Sequence, residues 1–151
     1  MNEAARSWME FAGLSPDLAA FGVERIEGKV AYLASIRPDG TPRVHPVTPH
    51  IEDGILFVYM AQTSPKAHDL QRNGHYSLHC SVENNSGGKG EFAIRGTAIR
   101  VEDPKLRIEL FHAATTRGFY AEPEYVLFEL RIAGAQSTVY ISGQPTRKRW
   151  P

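Results

Sequence analysis

A single cysteine, Cys80, stands in 151 residues. That excludes an intramolecular disulfide framework and any Cys-rich zinc site, and it fits a reducing compartment. An excess of charge is also missing, since 17 Lys plus Arg balance 17 Asp plus Glu. Without a global basic field there is nothing to draw in nucleic acid or an anionic membrane, so any anion site must be local. No stretch approaches the ~20 consecutive apolar residues that span a bilayer. The opening segment Met-Asn-Glu-Ala-Ala-Arg-Ser-Trp carries an acid and no apolar run of the signal-peptide type, so a cytoplasmic location is expected. Internal repeats and low-complexity tracts are lacking, and the Gly/Asn/Ser-rich stretch Asn84 to Gly90 is short enough for one loop. Residues 1–151 therefore read as one domain, large enough to bury roughly 68–70% of the unfolded surface in an ordinary core.

Short helices are expected within 1–28, over residues 3–12 and 16–27, the second opened by Ser15 as N-cap and Pro16 at its first position and closed by Gly28. From Lys29 the pattern turns to β. Val30, Tyr32, Ala34 and Ile36 alternate, and Arg37-Pro38-Asp39-Gly40-Thr41 supplies a tight turn. A strand from Pro42 to Ile51, the turn Glu52-Asp53-Gly54 and the apolar run Ile55 to Met60 follow, which predicts a three-stranded meander whose last strand is buried on both faces. Ser64-Pro65 opens a helix that ends near Asn73-Gly74. Strands are expected at about 75–83 and 91–101, a helix from Asp103-Pro104 to about Arg117-Gly118 with Leu106, Leu110 and Phe111 on one face, then strands Tyr125 to Ile132 and Thr138 to Ile141 and a tail over 142–151. This is a mainly β fold with added helices, in six or seven antiparallel strands, of barrel rather than βαβ type. No Gly-x-Gly-x-x-Gly occurs to suggest a Rossmann dinucleotide domain.

Two segments carry candidate chemistry. Thr63-Ser64-Pro65-Lys66 places a hydroxyl, unpaired first-turn amides and an ammonium together, which suits a phosphate; the plain alternative is a capped surface helix with a solvated lysine. In Arg43-Val44-His45-Pro46-Val47, Arg43 and His45 share one face, and Pro46, lacking an N–H, places the strand at an edge or bulge open to a ligand. An exposed edge strand with a solvated arginine explains the same pattern. The six histidines argue against a metal site: His75 and His79 are four apart, about 13 Å along a strand. No Gly-x-Ser-x-Gly supports a serine hydrolase, and Cys80 and His79 fall on opposite strand faces.

The run from Val30 to His79, with its Pro-Asp-Gly turn, Arg-x-x-Pro strand, apolar strand and Ser-x-Lys-x-x-x-Leu helix start, resembles the pyridoxamine 5'-phosphate oxidase-like, FMN-binding split-barrel superfamily. The resemblance spans roughly residues 26–102. It implies a split β-barrel homodimer with two FMN sites at the interface and a small-molecule substrate. It implies that Ser64, Pro65 and Lys66, with Arg43, Val44, His45 and Pro46, hold the flavin phosphate and ribityl chain. Tyr59 and Met60 would run along the cofactor, and Glu91 falls where the oxidase has a flavin-contacting Gln. Late aromatic and basic residues of relatives reach the partner's site, which points to Trp150 with Arg147, Lys148 and Arg149; a solvated basic tail is the alternative.

Two departures bear on the substrate. Thr48 stands where the oxidase has a Lys, and the oxidase's C-terminal Arg-x-His pair is missing. The expectation is therefore an FMN-dependent oxidoreductase that reduces a small molecule or flavin rather than oxidising pyridoxamine phosphate. A deazaflavin-dependent reductase and a haem-binding or cofactor-sensing barrel are the alternatives. No general acid or base is identifiable.

Overall fold

The computed structural model describes residues 4–151. Helix α1 (Trp8–Leu14) is closed at its start by a reciprocal capping box between Ser7 and Glu10, and α2 (Pro16–Ile26) follows after Ser15. The side chain of Ser15 makes no capping hydrogen bond, contrary to expectation; its backbone instead ends α1, with its N–H on the Phe11 carbonyl. The expected helix over 3–12 begins only at Trp8, because Ser7 caps it and Arg6 instead bridges to Ile132, and it runs on to Leu14; residue 3 lies outside the described residues.

Strands β1 (Ala31–Ile36), β2 (Pro42–Val47), β3 (His50–Glu52) and β4 (Ile55–Met60) come next, then α3 (Pro65–Arg72), β5 (His75–Cys80), β6 (Glu91–Arg100), α4 (Pro104–Thr116), β7 (Val126–Ile141) and β8 (Gln144–Trp150). All eight strands join one antiparallel sheet in the order β2-β1-β5-β6-β7-β4-β3, with β8 also on β7. The count exceeds six or seven because the segment from Pro42 to Ile51 divides at Thr48-Pro49, and because 142–151 is a paired strand, not a tail.

The expected three-stranded meander does not form. β1 pairs with β2, and β3 with β4, but the two hairpins lie at opposite ends of the sheet. Thr138 to Ile141 is no separate strand; it is the end of β7, whose first part pairs with β4 and whose last part pairs with β8. The length of β7 lets it serve both neighbours along one edge, while β6 covers its other edge from Phe128 to Thr138. A bulge between Arg95 and Gly96 bends that pairing.

The sheet curls around a core in which Leu33, Leu56, Val58, Leu78, Ile94, Leu130 and Ile132 meet Trp8, Phe11 and Ile26 of the first two helices. β4 is buried on both faces, as its continuous apolar run predicts. Leu56, Val58 and Met60 enter the main core, and Phe57 and Tyr59 enter a second cluster with Leu110 and Ala114 of α4. Among the described residues no helix is long and apolar enough to cross a membrane.

Candidate functional site

β2 is an edge strand, which its two prolines permit, because a residue without an N–H costs no ladder bond where no neighbour waits. Its register against β1 sets Arg43 beside Ser35 and His45 beside Leu33, on the core side, and sends Val44 and Pro46 to the outer face. α3 packs over that core side against β1 and β6, and its Asp69 reaches Arg43 of β2. The N-cap Ser64 has extended backbone, φ −68° and ψ 140°, and its hydroxyl accepts from the Ala67 N–H at 3.3 Å. Pro65 occupies the first helical position, where its missing N–H is no loss.

Lys66, the next residue, is half-buried. Burial lowers its ammonium below the ordinary range, and no carboxylate opposes that shift. His45 is lowered as well, first by burial and then by the charges of Lys66 and Arg43. The three groups therefore feel one another, and the imidazole resists a third positive charge. Such a cluster of underpaired cations at a helix start can accept an anion that neutralises all of it together.

Asp69 organises this cluster and was not singled out from sequence. Its carboxylate accepts from Arg43 Nε at 2.7 Å, from Ser35 Oγ at 2.8 Å and from Arg72 Nη2 at 3.2 Å. Burial by itself would raise the carboxyl, but the three hydrogen bonds, Arg43 first among them, hold it below its ordinary value. Arg43 is thus anchored through Nε, and its two Nη groups make no hydrogen bond among the described residues. Within the local sequence Asp69 looks like any helical acid; only the crossing of α3 over β1 and β2 reveals its role.

The other expected residues disperse. The side chains of Tyr59 and Met60 are buried on opposite faces of β4. The Tyr59 hydroxyl donates to the Arg107 carbonyl at 3.3 Å, and burial pushes it up to about 12 against the charge of Arg107. Backbone is what these two can offer a ligand. Glu91 begins β6 on the outer face, 3.8 Å from His79 Nε2, and accepts from the Tyr140 hydroxyl at 3.3 Å. Trp150 ends β8 opposite Ala135, with its ring centroid 5.1 Å from that of Phe11 in its own chain. Within one chain, Arg43, His45, Ser64, Pro65 and Lys66 come together; Glu91 and Trp150 lie elsewhere. Among the described residues no group of three His, Cys, Asp or Glu is placed to hold a metal.

Residues 22–139, from α2 to the last turn of pairing in β7, match the pyridoxamine 5'-phosphate oxidase family. The chain belongs to that family. The matched span contains the whole cation cluster and Glu91, and it stops before β8. No curated protein matches the chain. Among solved structures, the protein Rv2991 of Mycobacterium tuberculosis superposes with a TM-score of 0.67 at 20% identity, covering 82% of each chain. A heme binding protein from Mycobacterium smegmatis gives 0.63 at 18% identity over 85% of this chain and 55% of that one. An F420 reductase gives 0.55 at 21% identity over 80% of this chain and 94% of that one. At such identities these likenesses describe the fold. The open eight-stranded sheet is the split barrel of the pyridoxamine 5'-phosphate oxidase family, as the resemblance implied.

Proposed function

We propose that this chain is an FMN-dependent oxidoreductase that acts on a small molecule, and that Lys66, Arg43, His45 and Ser64 hold the cofactor's phosphate. The observation that carries this reading is Lys66: a half-buried ammonium with no acid against it, beside a second cation already anchored by Asp69. A phosphate supplies the missing charge, and the first-turn amides of α3 point to the same place. Pro65 keeps that turn rigid, and Val44 and Pro46 frame the edge of the strand. Bound there, FMN supplies hydride chemistry, and the chain's own part is to orient the cofactor and set its charge. Thr48 in place of a lysine and the lack of a C-terminal Arg-x-His pair argue against pyridoxamine phosphate as substrate.

A homodimer belongs to this reading. The outer face of β1 and β2 exposes Val30, Tyr32 and Val44 at 50%, 47% and 62%, beside Pro42 and Pro46. A contiguous apolar face of this kind suits a second copy of the chain.

The test titrates FMN and riboflavin against the wild type and Lys66→Ala, following flavin fluorescence. Charge-assisted contacts to phosphate predict a roughly 10- to 150-fold loss for FMN and little change for riboflavin, which has no phosphate. Equal FMN affinity in the variant, or equal loss of both ligands in a folded variant, overturns the assignment. The absorption spectrum of the purified protein separates the cofactors: two flavin bands support FMN, and a single deazaflavin band or a Soret band replaces it by the corresponding alternative.

A further inference from the structure

On the opposite side of the sheet from α3, the register brings a second set of polar groups together. Ser77 of β5 stands beside Arg95 of β6, which faces Gly134 of β7; one alternate position further, Ala93 faces Gln136, which faces Arg149 of β8. Alternation puts all six on the outer face. They line a cleft of about 440 Å³ that ends at Trp150 and Pro151. The floor is made of small residues, and the Arg95 guanidinium rests over Gly134, where a Cβ would lie 2.9 Å from it. The bare backbone there lets the arginine lie along the sheet and toward the cleft.

The walls are cationic. Two strands across and two residues along, the Cα atoms of Arg95 and Arg149 are about 12 Å apart, so two extended guanidinium side chains can meet over one ligand. Six arginines have an acid within 4 Å: Arg6, Arg43, Arg72, Arg100, Arg117 and Arg131; Arg25 and Arg107, which lack one, bond backbone carbonyls instead. Neither Arg95 nor Arg149 is so paired among the described residues. Gln136 and Ser77 add neutral hydrogen-bonding groups between them, and the volume exceeds what a bare inorganic ion fills.

We infer that this cleft is a binding site for a small organic acid, whose carboxylate sits between Arg95 and Arg149 and whose apolar body covers Ala93 and Gly134. Within one chain the cation cluster of Lys66 and Arg43 lies on the other face of the same sheet, so the two sites share no residue.

The experiment titrates 2-naphthoate and its neutral counterpart 2-naphthamide against the full chain at neutral pH. Tryptophan fluorescence is the signal, Trp150 lying at the cleft. Naphthoate should bind at least roughly 10-fold more tightly than the amide, and Arg95→Gln and Arg149→Gln should each erase most of that preference. Circular dichroism checks that each variant folds; both positions are exposed, so one failing leaves the other to decide. Lys66→Ala should bind naphthoate as the wild type does. Equal affinity for acid and amide, no effect of either folded arginine variant, or loss of naphthoate in Lys66→Ala overturns the proposal. Absence of FMN binding in the wild type would refute the cofactor reading and leave this result standing.

Discussion

Replacing Asp69 by Asn isolates the group that positions Arg43. The isostere keeps the volume and removes the charge that three donors share. The side chain of Asp69 is 2% exposed and that of Arg43 21%, so the pair is largely withdrawn from water; Arg72, at 39%, is partly screened. Breaking a buried pair by removing one partner costs about 3–5 kcal/mol, and discounting for the exposure of the two arginines leaves about 2–4 kcal/mol. For a domain of this size that is a fall of about 4–16 °C in Tm. The sign of the pH dependence follows from the direction of the shift. Because the folded carboxyl is held below its ordinary value, its contribution is complete above the unfolded pKa of ~3.9 and is lost as pH falls through the lower folded value. The Tm difference between wild type and Asp69→Asn should therefore be constant from pH 7 to about 5 and shrink in stronger acid. Thermal melts by circular dichroism across that range provide the assay, and a double-mutant cycle with Arg43→Ala should show coupling of about 0.5–3 kcal/mol. A Tm change under about 2 °C at pH 7, a gap that does not narrow in acid, or zero coupling with Arg43 would refute the reasoning.

His50 is 1% exposed, and neither ring nitrogen has a hydrogen-bond partner among the described residues. Burial lowers its pKa despite the nearby Glu27, so wild-type stability should decline as pH drops below ~6.5; His50→Leu should stabilise by about 1–2 kcal/mol and flatten that decline, as denaturant titrations at pH 7 and 5.5 will show. Gly96→Ala would put a Cβ 1.9 Å from the Arg131 carbonyl oxygen at the bulge, where backbone on both sides cannot yield; expect more than about 2 kcal/mol of destabilisation or insoluble protein on expression. Ser64→Ala removes the α3 cap and should cost about 1 kcal/mol in thermal melts, together with a measurable loss of FMN affinity. Val44→Glu on the outer apolar face should shift the sedimentation coefficient from dimer to monomer without lowering solubility.

Much of the candidate site could be read before the structure. Ser64, Pro65 and Lys66 announce a capped helix start, and Pro42 and Pro46 announce an edge strand; each signal is local, carried by residues within one turn or one strand of one another. What they could not announce is that the two segments meet. The same limit explains Asp69, whose partners Ser35 and Arg43 are 34 and 26 residues away. It bears too on Tyr59 and Met60, which the resemblance sets along the cofactor: strand alternation with packing on both faces of β4 buries their side chains in separate clusters.

Sequence alone determined most of the elements, because periodicity, turn chemistry and caps act over a few bonds: the doubly buried run of β4 and the apolar stripe of α4 form where the pattern puts them, and β1 forms as a strand, although it buries Ala31, Leu33 and Ser35 and turns the alternating Tyr32, Ala34 and Ile36 outward. Tertiary structure decided the order in which those elements meet. Val44 of β2 and Ile51 of β3 lie in one continuous β-like stretch yet belong to hairpins at opposite ends of the sheet, since a break at Thr48-Pro49 lets each hairpin seek its own long-range partner, β5 for one and β7 for the other. Pairing between distant strands depends on how whole faces complement one another once helices cover the core, and no window of neighbouring residues contains that information.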